Sequence, residues 1–451
     1  MGRGPTVFLI LIAVTMALGL TLIEPPYPKD DSFRYINHAT TLKAHGVFAY
    51  SGDLTATPPT PGNSYTPAYP AWLAFFMHID DDVWESLLCI SQNMSKGQPC
   101  AVTFQSLVAG QLFLEGVFLF VVWLVAKRLT GNTAVGWLAV AFALISRIPL
   151  KVGTLVLTEA LLLPSMGLFV LFVLMSYQDR QPRWLLPAGL ALGIAALTRP
   201  AYLYLFYGAL VPLIAIAVFR ERRRLLTSAF LLFVGFAVVV GPWMIRNKIQ
   251  FDSASLTGAH AADILVQRVT YNRMSWPEFG VSFLYWFPDF GDNLAAALFP
   301  ESYYAKLGWD EGTYYGTEAN RLYDEVKAKV PEKERILSHL LDTEVLGNPV
   351  KHVLVTFPLA WRAIFVAKYW GILGAICFTA MLIVWLRNRR YDLLIASLPI
   401  WFMVGFHAFV SVSIPRYNLA LVVVYATAMA WAAHALATAA VRRWQDFRRA
   451  A

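Results

Sequence analysis

Two adjacent carboxylates, Asp30 and Asp31, stand shortly after the first long apolar run of the chain, residues 6–23. Acidic side chains at a membrane edge are suited to general acid–base chemistry at the lipid–water boundary. Tyr35 follows Asp31 by four residues, so the two share one face of the helix that Asp31 would begin. A carboxylate at a helix start also accepts backbone N–H groups, and helix capping is therefore the alternative interpretation of Asp31.

The composition indicates the elements that must position these residues. Of the 451 residues, 57% are hydrophobic and 15% are charged, whereas soluble domains carry about 25% charged residues. Runs of about 20 apolar residues are long enough to cross a bilayer. We therefore predict an all-α polytopic membrane protein with about ten spans: 6–23, 104–127, 133–149, 154–177, 184–198, 201–219, 227–245, 369–386, 393–411 and 418–440.

Basic residues form short blocks between the predicted spans, which accounts for the net charge of +8. Blocks of this kind mark cytoplasmic loops, so the charge predicts a topology and does not indicate nucleic acid binding. Residues 352–368 could form another span or an amphipathic helix on the outer surface. Only the surface helix puts all basic blocks on one side, and it leaves both termini in the cytoplasm.

On this topology the chain is a single membrane domain, residues 1–451, with two large outer loops. The first loop covers residues 24–103, and the second covers residues 246–368 and contains the amphipathic helix. Cys89 and Cys100 share the first loop, where a disulfide would suit an oxidising compartment. His78 followed by Asp80, Asp81 and Asp82 could bind a divalent cation, or it could be an ordinary solvated loop.

Five charged residues fall at outer ends of predicted spans. A guanidinium is suited to binding phosphate, because it is always charged and donates two parallel hydrogen bonds. Arginines at span ends also serve as anchors that reach the headgroups, which is the alternative for any one of them. The five residues come from separate segments: Asp31, Glu159, Arg199, Arg246 and Arg416.

These motifs resemble those of the GT-C superfamily of integral-membrane glycosyltransferases, and most closely the bacterial branch of protein O-mannosyltransferases and lipid A aminoarabinose transferases. The family pattern D-x-x-x-Y and P-x-Y-P corresponds to Asp31, Tyr35, Pro67, Tyr69 and Pro70. Further matches are LTEALLLP with Glu159, ALTRP with Arg199, GPWMIRN with Arg246, and SIPRYN with Arg416 and Tyr417. The spacing to Tyr35 selects Asp31 over Asp30 as the matching acid.

The resemblance implies a GT-C bundle and an inverting transfer of a sugar from a polyprenyl-phosphate donor to an acceptor hydroxyl. Asp31 would be the general base, with Glu159 and Asp30 as further catalytic candidates. The donor phosphate would be bound by Arg199, Arg246, Arg416, Tyr35, Tyr69 and Tyr417. The resemblance further implies that no catalytic metal is required, and that the enzyme works in a bacterial inner membrane with its site facing the periplasm.

A transporter or flippase of a lipid-linked or anionic solute is the alternative function. Transporters commonly show repeated halves and broken helices at the bilayer midplane, and the sequence shows no such repeat. Glu115, in the middle of a predicted span, favours transport, because a carboxylate there is costly. Gln111, one turn earlier, is its expected hydrogen-bond partner.

Overall fold

The structure is a computed structural model that describes residues 4–28, 31–50, 59–93, 100–258, 260–308, 315–330 and 333–450. These residues form α-helices and short 3-10 or π turns and no strand, as predicted for an all-α protein. The α-helices are α1 Gly4–Leu22, α2 Asp31–His45, α3 Ala68–Ile79, α4 Asp81–Asn93, α5 Gln105–Thr130, α6 Thr133–Ile145, α7 Ile148–Thr154, α8 Glu159–Gln178, α9 Leu185–Thr198, α10 Tyr202–Phe219, α11 Arg223–Phe251, α12 His260–Val269, α13 Trp276–Tyr285, α14 Gly291–Leu298, α15 Tyr315–Lys329, α16 Lys333–Leu340, α17 Pro349–Ala363, α18 Tyr369–Arg387, α19 Asp392–Val410 and α20 Leu421–Ala450.

Eight of these helices, within the described residues, are long and apolar enough to cross a membrane: α1, α5, α8, α10, α11, α18, α19 and α20. A ninth candidate is the pair α6 and α7, whose axes are bent by 54° at their junction. The shorter apolar segment Pro182–Thr198 coincides with the remaining predicted span. The ten predicted spans thus all coincide with apolar helices, and the prediction of a polytopic helical fold is confirmed.

The chain divides into two compact units. Unit 1 contains residues 1–257, 377–399 and 422–451, and unit 2 contains residues 258–376 and 400–421. The prediction of a single domain over residues 1–451 stays a prediction.

Small residues allow the helices of unit 1 to approach closely. A Cβ atom on Gly189 of α9 would lie 2.3 Å from the Leu232 carbonyl oxygen of α11. One on Gly235 would lie 2.2 Å from the Leu186 carbonyl oxygen. Because the hydrophobic effect does not drive helix association inside a lipid bilayer, such close backbone packing is a main source of stability in membrane helix bundles.

The predicted first outer loop folds into three helices, α2 to α4, that belong to unit 1. The Ser91 hydroxyl of α4 donates to the Asn37 side chain of α2 at 2.6 Å. The structure also pairs Cys89 with Cys100 in a disulfide. These contacts fix α2, so its acidic N-terminal end has a defined position.

Unit 2 contains the predicted amphipathic helix as α17, which has 15 residues. One face of α17 is buried through Val355 and Leu359, in a cluster that includes Trp286 of the segment after α13. Arg268 of α12 is fully buried and donates to the carbonyl oxygens of Ala408 (2.7 Å) and His352 (2.8 Å). A buried guanidinium is stable only when its donors are satisfied, as they are here.

Candidate active site

Asp31 is the first residue of α2 and is partly exposed. A carboxylate at this position also interacts favourably with the helix dipole. Its charge acts on Arg34, one turn later, and on Tyr65, and the Arg34 guanidinium donates a short hydrogen bond to the Tyr65 hydroxyl. Asp30 lies outside the described residues.

Tyr35 is a buried phenol on which charges from three separate segments act. Burial raises the pKa of Tyr35; Arg199 opposes this shift, Asp31 and Glu159 add to it, and a hydrogen bond with Thr158 opposes it. Its ring meets those of Tyr65 and Tyr69 edge to face, with centroids 5.7 and 5.5 Å apart. The charges of Asp31 on α2, Glu159 on α8 and Arg199 after α9 therefore act on one neutral phenol.

Glu159 and Arg199 form a buried ion pair. The Arg199 Nη2 atom lies 2.5 Å from Glu159 Oε1, and the side chains are 14% and 3% exposed, respectively. Arg199 Nε also donates to the Thr158 hydroxyl at 3.0 Å. Charge-assisted bonds of this kind orient a guanidinium firmly, so Arg199 has one defined position at the end of α9.

A hydrogen bond connects this pair to the first outer loop. The Thr66 hydroxyl donates to the carbonyl oxygen of Thr198, next to Arg199, at 3.1 Å. The loop residue before α3 and the end of α9 are therefore held together. Sequence alone left open which loop segment packs beside Arg199.

Tyr69 is fully buried and donates to Gln111 Oε1 at 2.9 Å. The Gln111 amide donates in turn to the carbonyl oxygens of Gly153 and Leu155, both at 3.1 Å. Burial raises the pKa of Tyr69 well above its usual range, and the charge of Glu159 adds to the effect. Tyr69 thus supports the site from beneath as a neutral hydrogen-bond donor.

The predicted bond between Gln111 and Glu115 is wrong. Gln111 uses its amide for Tyr69 and the two backbone carbonyls, because α3 and the C-terminal end of α7 pack against α5 near Gln111. Glu115 is fully buried, and its carboxylate oxygens have no hydrogen-bond partner in the described part of the chain.

The Arg246 side chain binds backbone carbonyls of the first outer loop. It donates to the carbonyl oxygens of Gly62 at 2.8 Å and Phe48 at 3.3 Å, and its guanidinium lies 4.6 Å from the Trp243 ring centroid. Arg246 forms no ion pair among the described residues. No carboxylate in the described ranges neutralises its positive charge.

His38 is a residue of this region that the sequence analysis missed. It follows Asp31 by seven residues on the same face of α2, and its ring stacks on Phe48 with centroids 4.4 Å apart. Burial lowers the pKa of His38 to about 4; the nearby Ala49 backbone opposes the shift, and the charge of Arg246 adds to it. The spacing of 31, 35 and 38 is the signal that could have identified it.

Arg416 and Tyr417 belong to unit 2, in the short 3-10 turn Pro415–Asn418. The Tyr417 ring lies 5.5 Å from the His407 ring, and Asn418 Oδ1 lies 3.2 Å from His407 Nδ1. Arg416 and Tyr417 are partly exposed. Their predicted role in donor binding stays a prediction.

The possible cation site near His78 has a structural use. Asp80 accepts from the backbone N–H of Asp82 at 3.0 Å and from the Ser106 hydroxyl, and it precedes α4 as a cap. The His78 Nδ1 atom lies 2.7 Å from the Ala74 carbonyl oxygen. Among the described residues, no three His, Cys, Asp or Glu side chains are grouped as metal ligands.

A family model for dolichyl-phosphate-mannose-protein mannosyltransferases matches residues 101–245. This segment contains Glu159 and Arg199 and ends one residue before Arg246. No curated protein sequence matches the chain significantly. The family match supports the resemblance to GT-C superfamily membrane glycosyltransferases.

Two solved structures are similar to the chain at low sequence identity. One is ArnT from Cupriavidus metallidurans bound to undecaprenyl phosphate, with 14% identity, a TM-score of 0.49, and coverage of 96% of this chain and 60% of that one. The other is the oligosaccharyltransferase AglB from Archaeoglobus fulgidus, in complex with an inhibitory peptide and a dolichol phosphate, with 11% identity, a TM-score of 0.49, and coverage of 100% and 52%. The chain thus spans between half and two thirds of the length of these structures.

Proposed function

We propose that the protein is a glycosyltransferase that moves a sugar from a polyprenyl-phosphate donor to an acceptor hydroxyl on the extracytoplasmic side of the membrane. The observation that carries the proposal is the buried Glu159–Arg199 pair, which the bond from Thr66 to the Thr198 carbonyl joins to the first outer loop. The charge of Asp31 acts on the same Tyr35 as the charges of this pair. Glu159 and Arg199 stand where the apolar helices α8 and α9 begin and end, and both lie in the segment that the family model matches. A site at helix ends is accessible both to a lipid-linked donor and to a water-soluble acceptor.

Asp31 is the carboxylate best suited to act as general base. It is partly exposed, so an acceptor hydroxyl can reach it. Glu159 is 3% exposed and bound to Arg199, which fits a positioning role better than proton transfer. Asp30 remains a neighbour that could tune or replace Asp31.

The reaction is a single displacement with inversion. Asp31 takes the proton of the acceptor hydroxyl, the acceptor oxygen forms a bond to the anomeric carbon, and the bond from that carbon to the phosphate oxygen breaks. The lipid phosphate leaves with the bonding electrons. Because negative charge grows on the phosphate during this step, fixed positive charges stabilise the transition state more than the ground state.

The arginines differ in how they could meet that charge. Arg246 has no carboxylate partner in the described residues, so its charge can attract a phosphate. Its hydrogen bonds to two loop carbonyl oxygens hold the guanidinium in place. The charge of Arg199 is balanced by Glu159, which favours a precise hydrogen-bonding role. Tyr35 and Tyr69 are proposed as neutral residues that support the donor-binding side chains. No metal is assigned a step.

The Cys89–Cys100 disulfide supports a location of the first outer loop in an oxidising compartment. We propose that the protein lies in the inner membrane of a bacterium with this loop in the periplasm.

Glu115 favours a second candidate function, a transporter or flippase. A fully buried carboxyl group in the middle of α5, without a hydrogen-bond partner in the described part of the chain, is the type of group that marks proton or solute pathways. A flippase would move an intact lipid-linked sugar, whereas a transferase breaks the bond between sugar and phosphate.

The test is incubation of the purified protein with a panel of polyprenyl-phosphate sugars and candidate acceptors. We expect release of the lipid phosphate, and we expect Asp31→Asn to reduce transfer by at least about 100-fold, the usual contribution of a general base. Asp81→Asn, an exposed aspartate at the start of α4, is the matched control and should retain full activity. Full transfer by Asp31→Asn would move the base role to Asp30 or Glu159, and transbilayer movement without bond cleavage would favour the flippase.

A further inference from the structure

Unit 2 carries an open groove between the start of α13 and the start of α17. Its volume is about 330 Å³, at the lower end of the range of about 300–1,000 Å³ typical of small-molecule sites. The groove is lined by Asn272, Met274, Trp276, Asn348, Val350 and Lys351.

Lys351 is a buried cation without a bonded anion. The residue is 8% exposed, and its Nζ atom lies 3.9 Å from the Trp276 ring centroid. The Lys351 ammonium makes no hydrogen bond or ion pair within the described part of the chain. Glu278 acts on it electrostatically, but the Glu278 carboxylate accepts from the Ser275 N–H at 2.6 Å, in a capping box.

The start of α17 adds to the positive potential of the groove. Lys351 is the third residue of this helix, where the helix dipole disfavours a cation. Asn348 caps the Lys351 N–H, at 3.3 Å, and Pro349 has no N–H. The Val350 N–H forms no hydrogen bond in the described residues and remains as the first-turn donor at the groove.

An exposed apolar stripe runs along α17 from this groove. Val350, Val353 and Phe357 are 68%, 49% and 60% exposed, at helical spacing on one face. The candidate membrane span α18 begins six residues after α17 ends. A helix with this pattern next to a span lies flat in the membrane interface, with its apolar face toward the acyl chains.

We infer that the groove binds the phosphate of an anionic phospholipid in the leaflet on which α17 lies. The Lys351 ammonium and the Val350 N–H meet the phosphate, and the acyl chains follow the apolar stripe. Trp276, which is 62% exposed, stands at the headgroup level, where tryptophan is enriched. The buried positive charge and the helix N-terminus complement the anionic headgroup. This site is independent of the proposed transferase activity.

The experiment is native mass spectrometry of the full-length protein, released from nanodiscs that contain phosphatidylglycerol and phosphatidylcholine. We expect the most strongly retained lipid to be phosphatidylglycerol, with about tenfold preference, and Lys351→Met to abolish this preference. Lys351→Arg should keep it. Lys306→Met, which removes a half-exposed lysine paired with Glu318 in the same unit, is the matched control and should change nothing.

Val350→Asp guards against a folding defect, because Val350 is 68% exposed and the new carboxylate would repel a phosphate. Loss of phosphatidylglycerol from this variant, with unchanged melting temperature, supports the site. The inference is overturned if Lys351→Met and Val350→Asp keep the wild-type preference. It is equally overturned if free glycerol 1-phosphate displaces the lipid completely at equal concentration, because the groove would then be a site for soluble phosphates.

Discussion

Glu159→Gln removes the charge that balances Arg199 and keeps the size of the side chain. The pair is joined at 2.5 Å with Glu159 3% exposed, so the substitution leaves a guanidinium largely out of water without its counter-charge. Loss of one partner of a buried ion pair costs about 3–5 kcal/mol. Arg199 is 14% exposed and keeps its bond to Thr158. We therefore expect a loss at the lower end, about 3 kcal/mol.

A double-mutant cycle separates this coupling from the rest of the substitution. Denaturant titrations of the detergent-solubilised protein would compare Glu159→Gln, Arg199→Met and the double variant. Because the double variant buries no unpaired charge, it should be more stable than the sum of the single losses predicts, by about 2 kcal/mol. Additivity within about 0.5 kcal/mol would refute the buried pair.

The same variants distinguish positioning from proton transfer. If Glu159 only positions Arg199, Glu159→Gln and Arg199→Met should lower transfer by similar factors and alter the KM for the donor. If kcat falls strongly in Glu159→Gln but not in Arg199→Met, and the KM for the donor is unchanged, Glu159 is the base in place of Asp31.

Three further predictions concern the outer loop and the topology. The pKa of His38 is lowered from 6.5 in the unfolded chain to about 4 in the folded protein. Because the unfolded chain therefore takes up the proton more readily, the contribution of neutral His38 to the free energy of unfolding is present above pH 6.5 and is lost as the pH falls toward 4. Denaturant midpoints at pH 7 and 4.5 should show that acidification destabilises His38→Phe less than the wild type, by up to about 3 kcal/mol. The same acid destabilisation in both proteins would refute the buried neutral imidazole. Replacement of Cys89 and Cys100 by serine should cost about 3 kcal/mol, by loss of an 11-residue cross-link, and should abolish the effect of reductant on the melting temperature. A cysteine at position 388 in a Cys377→Ser background should be labelled only from the cytoplasmic side, and labelling from outside would contradict the ten-span topology.

Glu115 shows where local pattern and tertiary packing disagree. Its spacing from Gln111 predicts a hydrogen bond along one face of α5. The structure gives the Gln111 amide to Tyr69 and to the carbonyl oxygens of Gly153 and Leu155, which come from segments distant in sequence. The Gln111 amide group forms its hydrogen bonds with these three partners and forms none with Glu115. The i, i+4 spacing describes neighbours within one helix and cannot predict partners from other segments.

Hydrophobic length and composition were sufficient to predict the membrane class and to place each predicted span on an apolar helix. A run of about 20 apolar residues has few alternatives to a membrane helix, whatever surrounds it. The same local rules placed a helix start at Asp31 and put Tyr35 on its face. The positive-inside rule predicted residues 352–368 as a surface helix, and the structure places α17 over most of this segment. Its location at the membrane surface stays a prediction.

Only the tertiary structure decided which side chains meet. The pairing of Glu159 with Arg199 and the bonds from Arg246 to loop carbonyls join residues far apart in sequence. So does the action of both charges of the pair on Tyr35. His38 belongs to this region through the stacking of its ring on Phe48. The physical reason is that spans are determined by transfer from water to lipid, a property of each segment alone, whereas a site depends on distances between segments, which packing determines.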